Sequence, residues 1–492
     1  MLQRQHRLKL ARGVVYAERG GRHLFLQPAA PDWMVVNENA AILLSRCAAS
    51  TLEEVIAPGE ELLREPARAL FAEALARQVL EDVEDGDAAV PRPPADPRQD
   101  RPPGEAECQA AGRMQGLAAG ETQHLAAVPG GREGSMGFPA AAAPSQPLQV
   151  VHLKLTNRCN LRCAYCYAES GAGPHESLTD STGDGLGEGM LTRQELDAIA
   201  ASVARMGRPV EYVLSGGEPL FHPYALEFAQ KVKAAGNKVH LLTNGTLIDA
   251  RNAERIAAVT DLVKISLDGS CEQTHAATRG GGNFARAQRA VGLLEEYGAR
   301  TVVAMTVTRE NRSEIDVMVA RHGSRLSLQP LFRAGRGSAL DRSALSGQEY
   351  YRTLTEARGV APMGDVGQRL RGLRGRGVRR CSMAEREISI NESGDVFPCQ
   401  LLHGEAFRAG NIREQPLEEI YSRSPVFERL RRVSVDTLDK CAVCALRYLC
   451  GGACRARDLY ETGSIETVGE FCAYEREALL NGLFDSVQMR AV

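Results

Sequence analysis

The sequence predicts an α/β protein whose centre is a partial (β/α)6 TIM-like barrel. A winged-helix-like α+β domain precedes the barrel and a cysteine-rich domain follows it. Strand-like and helix-like segments alternate between residues 148 and 345, which is typical of parallel strands covered by helices. Ten of the 23 prolines fall between Pro91 and Pro147, and seven of the 13 cysteines fall between Cys381 and Cys472. These two clusters mark the ends of the barrel.

Composition excludes several classes of protein. The 492 residues carry a net charge of −3, so nothing suggests a protein that wraps nucleic acid through a basic surface. No apolar run of about 18 residues is present, which argues against a membrane span. The first residues, MLQRQHRLKLARG, lack the apolar segment of a signal peptide. We therefore expect a cytoplasmic protein whose clustered cysteines bind metal rather than form disulfides.

The N-terminal domain is expected over residues 1–83, as three strands followed by three helices. Gly20-Gly21 signals a hairpin, and WMVV (Trp33–Val36) suits a third strand. Asn37 is a suitable cap for the first helix. The second helix, TLEEVI, is capped by Ser50 or Thr51, and the third begins near Pro66 and runs to residue 83.

Residues 84–147 are rich in Pro, Gly and Ala and are interpreted as a flexible linker. The barrel is expected over 148–345, a bridging region over 346–380 and the cysteine-rich domain over 381–492. Thr192 and Glu195 form a capping box that opens the first barrel helix. The six predicted barrel strands are VVHLKLT, PVEYVLS, KVHLLT, LVKISL, TVVAMTV and RLSLQPL.

The first cysteine cluster directly follows the first barrel strand. Cys159, Cys163 and Cys166 form a C-x3-C-x2-C array on a loop, at the strand ends that form the active face of such barrels. Thiolates favour soft metals and iron–sulfur clusters. Three cysteines suit a four-iron cluster with one iron open to another ligand. A zinc site completed by a distant histidine is the alternative.

This array resembles the signature of the radical S-adenosylmethionine (SAM) superfamily, including an aromatic residue, Tyr165, before the last cysteine. The resemblance covers about 150–340. It implies that a four-iron cluster and SAM bind here, and that a 5′-deoxyadenosyl radical abstracts a substrate hydrogen. It also implies SAM contacts from several further residues, Gly216, Gly217, Glu218, Pro219, Asn244, Ser266, Asp268 and Arg279. For Asn244 and Arg279 the alternatives are a turn residue and a solvated arginine.

The C-terminal cysteines resemble the SPASM extension of radical SAM enzymes, which implies two auxiliary four-iron clusters. The outer cluster would be held by Cys441, Cys444, Cys450 and Cys472, and the inner one by Cys381, Cys399 and Cys454. The fourth position of the inner cluster is either open or filled by a ligand other than cysteine. A zinc ribbon is the alternative for the C-terminal set. Cys271 is interpreted as a plain core cysteine.

Residues 1–83 resemble the PqqD-like recognition element of ribosomal peptide maturation. The resemblance implies that a leader peptide adds as a strand between Trp33–Val36 and the third helix. A winged-helix DNA binder is the alternative, although no basic recognition helix is present. Trp33 is equally suited to core packing and to peptide contact.

Together these features predict an enzyme that modifies a ribosomally synthesised precursor peptide and receives electrons from a donor such as flavodoxin or ferredoxin. No nucleic acid or membrane partner is expected. A thioether cross-link is the first choice and a carbon–carbon link the second; backbone excision and epimerisation stay open. The alternatives are a formylglycine-forming enzyme like the sulfatase maturases, and a non-catalytic peptide-binding iron–sulfur protein. Candidate bases are His403, Glu405 and Arg333, each also readable as a surface residue, and the insertion over 179–188 could cover the site.

Overall fold

The structure is a computed structural model that describes residues 7–55, 64–82, 126–127, 144–171, 190–357, 370 and 372–485. The predicted linker over 84–147 lies outside the described residues except at 126–127 and 144–147, and the insertion over 179–188 lies wholly outside them. Within the described part of the chain, no helix is long and apolar enough to cross a membrane.

The N-terminal module contains the predicted hairpin, third strand and three helices, together with short strands that were not predicted. Its elements are β1 (Leu8–Leu10), β2 (Val15–Arg19), β3 (Arg22–Gln27), β4 (Asp32–Val36), α1 (Glu38–Ser45), β5 (Ala48–Ser50), α2 (Leu52–Val55), α3 (Arg64–Ala76), β6 (Leu80–Asp82) and β7 (Ala126–Ala127). Asn37 caps α1 by accepting from the Ala40 amide, as predicted. One sheet has the order β4-β3-β2-β7 and the other β5-β1-β6.

The third helix is shorter than predicted. It ends at Ala76 rather than near residue 83. Gln78 adopts a left-handed backbone with φ 54°, and the chain then turns into β6. Leu80 pairs with Leu10 of β1, and this long-range pairing overrides the helical pattern of the local sequence.

The barrel follows the predicted alternation. Its elements are β8 (Val150–Lys154), α4 (Arg193–Arg205), β9 (Glu211–Ser215), α5 (Ala225–Ala234), β10 (Lys238–Thr243), α6 (Ala253–Val259), β11 (Leu262–Ser266), α7 (Glu272–Arg279), α8 (Phe284–Glu296), β12 (Thr301–Val307), α9 (Ile315–His322) and β13 (Leu326–Pro330). All neighbouring strands from β8 to β13 pair in parallel. The predicted barrel strands and the Thr192–Glu195 capping box are confirmed. Helix α7 was not predicted.

The C-terminal domain continues the barrel sheet. After α10 (Gly347–Glu356) come β14 (Glu387–Ile390), β15 (Asp395–Phe397) and β16 (Gly410–Asn411). β14 pairs in parallel with β8, which extends the sheet to nine strands in the order β13-β12-β11-β10-β9-β8-β14-β15-β16. The remaining helices are α11 (Leu417–Arg423), α12 (Pro425–Arg431), α13 (Asp439–Ala442), α14 (Arg447–Cys450), α15 (Arg455–Thr462) and α16 (Phe471–Asp485).

Residues alternate along β8 between the helix side of the sheet and the barrel interior. Val151 and Leu153 belong to the main apolar core, which includes side chains of the surrounding helices. Successive strand residues point to opposite faces, so His152 and Lys154 face the interior. His152 pairs with Glu387 at 2.9 Å and Lys154 with Glu392 at 3.3 Å. The interior is therefore polar along this strand.

The N-terminal module packs against the C-terminal domain through one face of its β4-β3-β2-β7 sheet. Phe25 and Met34 pack inside the module, whereas Leu26 and Trp33 share an apolar core with α14 and α16. Trp33 is 0% exposed. The Arg374 guanidinium lies over its ring, 4.4 Å from the centroid, and donates to its carbonyl oxygen at 2.6 Å. Trp33 is thus a core residue at the contact between the two domains.

Candidate functional site

The first three cysteines lie together on the loop that follows β8. Each is partly buried. Burial raises the pKa of Cys159 to about 11, and the nearby Cys163 and Cys166 thiols raise it further. Three cysteine thiols that lie this close to one another form a site that a positively charged iron centre would stabilise.

Contacts from the end of β10 and from α7 fix this loop. Asn244, at the end of β10, donates through Nδ2 to Asn160 Oδ1 at 2.9 Å. Its Nδ2 also lies 3.9 Å from the Cys159 sulfur. The Ala164 amide donates to the Thr278 carbonyl oxygen at 2.8 Å. Asn244 therefore does more than form a turn, because it contacts the cysteine loop directly.

The Gly216-Gly217 turn lies against the backbone that leads into the cysteine loop. A Cβ atom on Gly216 would lie 2.4 Å from the Thr156 carbonyl oxygen, and one on Gly217 would lie 2.2 Å from that of Arg158. Both contacts involve backbone atoms, which cannot move aside without moving the loop. Only glycine fits at these two positions, so the turn can lie directly against the chain that leads to Cys159.

Glu218 is completely buried behind this turn. Its carboxylate accepts from the Thr243 hydroxyl at 2.7 Å, the Asn244 amide at 2.8 Å and the Leu220 amide at 3.2 Å. Burial raises its pKa to about 7 despite these donors. The carboxylate thus connects the turn to the end of β10, and a nearby cation such as the SAM ammonium group would favour its ionised form. Pro219 is buried at the start of the following 3-10 turn.

Asp268 connects the cysteine loop to α7 and β12. It is 0% exposed and accepts hydrogen bonds from Tyr165, Thr278, Arg279 and the Thr306 amide. Arg279 is 9% exposed, and its guanidinium lies 5.4 Å from the centroid of the Tyr165 ring. The alternative of a solvated Arg279 is therefore wrong. Ser266 is half-buried at the end of β11.

The C-terminal cysteines fall into two groups. Burial raises the pKa of Cys399 well above its usual value, and the nearby Cys381 and Cys454 thiols add to the shift. The pKa of Cys441 is raised to about 11 by burial and by Cys472 and Cys444. Cys450 ends α14, next to the second group. Burial lowers the pKa of Arg455, and thiols of both groups partly oppose this shift, so Arg455 lies near both groups.

These donor sets fit iron–sulfur clusters better than zinc. Among the described residues, no group of three or more His, Cys, Asp or Glu side chains is gathered closely enough to hold a single metal ion. A four-iron cluster is larger than one ion and takes its cysteine ligands from further apart. The two zinc alternatives therefore find no support in the described part of the chain.

A cavity of about 320 Å³ lies between the two cysteine regions. Its walls include Tyr167, which follows Cys166, together with Gly216 and Gln400, which follows Cys399. The other residues that line it are Lys154, Ala168, Glu169, Ser215, Gly335, Ser389, Asn391, Leu401, His403, Gly404 and Tyr460. A molecule in this cavity would touch Gly216 of the glycine turn and Gln400, the neighbour of Cys399, at once.

The structure separates the three candidate bases. His403 lines the cavity and is not an ordinary surface residue. Glu405 is exposed to solvent, and Arg333 lies near Asp341, at 3.6 Å. Cys271 is exposed just before α7, so its interpretation as a core cysteine is wrong.

Arg336 is a site residue that sequence reasoning missed. Its Nε donates to the Cys163 carbonyl oxygen at 2.9 Å and its Nη2 to that of Ser170 at 2.7 Å. Gly335 lies so close to the loop that a Cβ atom there would be 2.7 Å from the Cys166 carbonyl oxygen. The Gly-Arg-Gly sequence after the sixth strand is the only local signal of this contact.

Comparison with known families agrees with the geometry. The family model described as the radical SAM superfamily matches residues 153–321, and the SPASM iron–sulfur cluster-binding domain matches residues 381–445. The chain is a radical SAM enzyme with a SPASM domain. Its radical SAM domain binds SAM and a four-iron cluster, and its SPASM domain binds auxiliary iron–sulfur clusters.

Two relatives show the range of this enzyme group. The AdoMet-dependent heme synthase of Methanosarcina barkeri is 28% identical over 66% of this chain and 96% of its own length. The mycofactocin maturase MftC of Mycobacterium ulcerans is 29% identical over 62% of this chain and 83% of its own.

Solved structures share the fold of this radical SAM enzyme. Native anSMEcpe with bound AdoMet aligns with a TM-score of 0.54 and 20% identity, over 69% of this chain and 97% of its own. Streptococcus suis SuiB bound to the precursor peptide SuiA aligns with a TM-score of 0.50 and 15% identity, over 94% of this chain and 99% of its own. At these identities the likeness concerns the fold alone.

Proposed function

We propose that this radical SAM enzyme matures a ribosomally synthesised precursor peptide by oxidative cross-linking. A thioether between a cysteine sulfur and a carbon is the first choice, and a carbon–carbon link is the second. The observation that carries the proposal is the cavity that borders both Tyr167, beside the first cysteine loop, and Gln400, beside the inner cysteine group. It would hold one reacting segment of peptide against both redox regions.

We assign cluster ligands by their grouping in the structure. Cys159, Cys163 and Cys166 would hold the SAM-binding cluster, which together with SAM supplies a 5′-deoxyadenosyl radical when bound. Cys381, Cys399 and Cys454 would hold the inner auxiliary cluster, and the outer one would take Cys441, Cys444, Cys450 and Cys472. The Gly216-Gly217 turn, with Glu218 behind it, would position SAM.

Two redox regions suit a reaction that removes two hydrogens. A link made from a C–H and an S–H group, or from two C–H groups, releases one hydrogen atom and then one proton and one electron. The deoxyadenosyl group takes the hydrogen atom. The remaining electron needs an acceptor close to the substrate, and Cys399 lies one residue from the cavity wall.

The N-terminal module supports a peptide substrate. One relative is named a mycofactocin maturase, and the SuiB structure, which has the same fold, is titled as bound to a precursor peptide. We propose that the leader adds to β4 as an extra strand beside α3. Arg374 and the Gly375 amide already bond to Trp33 and Pro31 at the start of this edge, so the leader would use the end nearer Val36.

A heme synthase-like activity is the second candidate, because 96% of that relative's length is matched here. However, that match uses only 66% of this chain, and the remaining third has no counterpart in the relative. A peptide substrate gives a role to the N-terminal module, whereas heme synthesis leaves it without one.

The test is anaerobic co-expression with the short open reading frame beside the gene, followed by high-resolution mass measurement of that peptide and alkylation of its free thiols. Loss of two hydrogens per link with loss of thiols, and no reducible disulfide, supports a thioether. The same mass loss with all thiols free supports a carbon–carbon link. Cys163→Ala is the control and should leave the peptide unmodified. An unmodified peptide, in a preparation that makes 5′-deoxyadenosine from SAM, would rule out this substrate.

A further inference from the structure

We propose that His403 is the catalytic base that accepts the substrate proton when the cross-link forms. This inference rests on the proposed function, because it concerns the second hydrogen that cross-linking removes. It starts from the position of His403 on the wall of the cavity between the two cysteine regions. The sequence offered three candidate bases, and only His403 lines the described cavity.

The imidazole of His403 is held in one orientation. Its ring stacks on Phe397, with centroids 4.4 Å apart and planes tilted by 13°. Its Nε2 lies 2.9 Å from the Ser389 hydroxyl oxygen, and Ser389 also lines the cavity. When Nε2 donates to Ser389, Nδ1 keeps its lone pair and can accept a proton. A fixed acceptor of this kind is what general-base catalysis requires.

The surroundings keep this imidazole neutral. Burial lowers the pKa of His403 to about 4, Lys154 and His152 lower it too, and Asp395 opposes them. Lys154 is paired with Glu392, and His152 with Glu387, so both neighbouring side chains are held in place. A neutral ring is available as a base throughout the physiological pH range, and its low pKa lets it release the proton afterwards.

Other groups on the cavity wall are weaker candidates. Lys154 is ion-paired and has no lone pair to offer while protonated. Gln400 carries an amide that does not titrate. Glu169 is a carboxylate, but it is exposed to solvent at the edge of the cavity. Glu169 is therefore the rival that an experiment must separate from His403.

The reaction balances with His403 in this role. The substrate C–H and X–H bonds break, where X is sulfur or a second carbon, and a C–X bond forms. The hydrogen atom of the C–H bond passes to the deoxyadenosyl group and gives 5′-deoxyadenosine. When the C–X bond forms, the X–H proton would pass to His403, and an auxiliary cluster held by the cysteines of the SPASM domain would take up the remaining electron.

The test uses the full enzyme co-expressed with the peptide and compares the variants H403Q, H403G and E169Q. The control is E405Q, a substitution at an exposed residue close to His403 in sequence. A lost general base lowers cross-linked product by about 100-fold. We expect this loss in both His403 variants. Formation of 5′-deoxyadenosine should persist, so the molar ratio of 5′-deoxyadenosine to cross-linked product should rise. Added imidazole should restore product in H403G, which a merely structural role would not allow. Peptide affinity and cluster absorbance should stay within twofold of wild type.

Two failures are distinguishable. If the wild-type enzyme leaves the peptide unmodified, the proposed function is overturned, and this inference with it. If the wild type forms the link and H403Q forms it equally well, or E169Q alone shows the loss, the role of His403 is overturned while the proposed function stands. Loss in H403G without rescue, together with altered peptide affinity, would also overturn it.

Discussion

Arg336 donates to the carbonyl oxygen of Cys163 across a sequence separation of 173 residues. The same guanidinium donates to the Ser170 carbonyl oxygen, so one side chain holds the loop at Cys163 and again at Ser170. The contact uses backbone acceptors, which leaves the thiols free for iron. Correct spacing of the cysteines therefore depends on a residue beyond the sixth barrel strand.

Replacing Arg336 by methionine should impair the first cluster. A hydrogen bond from a charged donor contributes about 1.5–3 kcal/mol, so loss of two should lower SAM cleavage by about tenfold or more. Iron content and the rate of 5′-deoxyadenosine formation measure this effect. Arg333→Met is the matched control, because Arg333 lies at the barrel mouth near Asp341. Equal activity of the two variants would contradict a positioning role for Arg336.

Gly217→Ala should abolish SAM cleavage. The new Cβ would lie 2.2 Å from the Arg158 carbonyl oxygen, and relief would have to displace the backbone before Cys159. Gly292→Ala is the control, because its Cβ meets nothing within 4 Å in α8 and should raise stability by about 1 kcal/mol. Thermal unfolding and deoxyadenosine formation test both variants. An active Gly217→Ala enzyme would show that the turn can shift.

Glu218 should make the SAM-free enzyme less stable as the pH rises. Its pKa is raised by burial from 4.5 to about 7, so its contribution is greatest at low pH and is lost as the pH rises through 7. From pH 5 to pH 8 the wild type should lose up to about 3 kcal/mol of its free energy of unfolding relative to E218Q. Glu349→Gln should show no such shift, since the pKa of Glu349 is about 2. Denaturant titrations at the two pH values decide this.

Trp33→Ala should loosen the contact between the N-terminal module and the C-terminal domain. A buried tryptophan replaced by alanine costs about 3–5 kcal/mol, and here part of that cost falls on the shared core. Hydrogen exchange should accelerate in residues 446–450 and 479–484. Phe71→Ala removes a similar volume inside the module and should leave those segments protected. Equal acceleration in both variants would show that the contact does not depend on Trp33.

The sequence predicted the barrel well because each strand and helix carries its own pattern. TVVAMTV, for example, consists mostly of β-branched and apolar residues and coincides with β12. Helix α7 was missed because EQTHAATR has few apolar residues, and it is defined instead by its bonds to Asp268. Strands β14 to β16 have four, three and two residues, too short for any periodicity. The pairing of β14 with β8 is a long-range contact that local sequence does not encode.

Some features of the site could likewise be predicted from local sequence, and others depend on long-range contacts. Cysteine spacing is local, so the first cluster could be found from Cys159, Cys163 and Cys166 alone. The contact of Arg336 with the loop could not, since its acceptors are carbonyl oxygens, which are the same for every residue type. The position of His403 beside Ser389 also depends on β14, a strand that the sequence did not reveal.

The shared core between the N-terminal module and α16 has a consequence for synthesis of the chain. Arg19 and Glu477, which pair across it, are separated by 458 positions. At roughly 5–20 residues per second, a ribosome needs on the order of 20 to 90 seconds to travel that distance. For most of this interval α14 and α16 have not been synthesised, so the nascent module presents the sheet face of Leu26 and Trp33 to solvent. Chaperone engagement during translation should therefore concentrate on a sheet face that is buried in the finished enzyme.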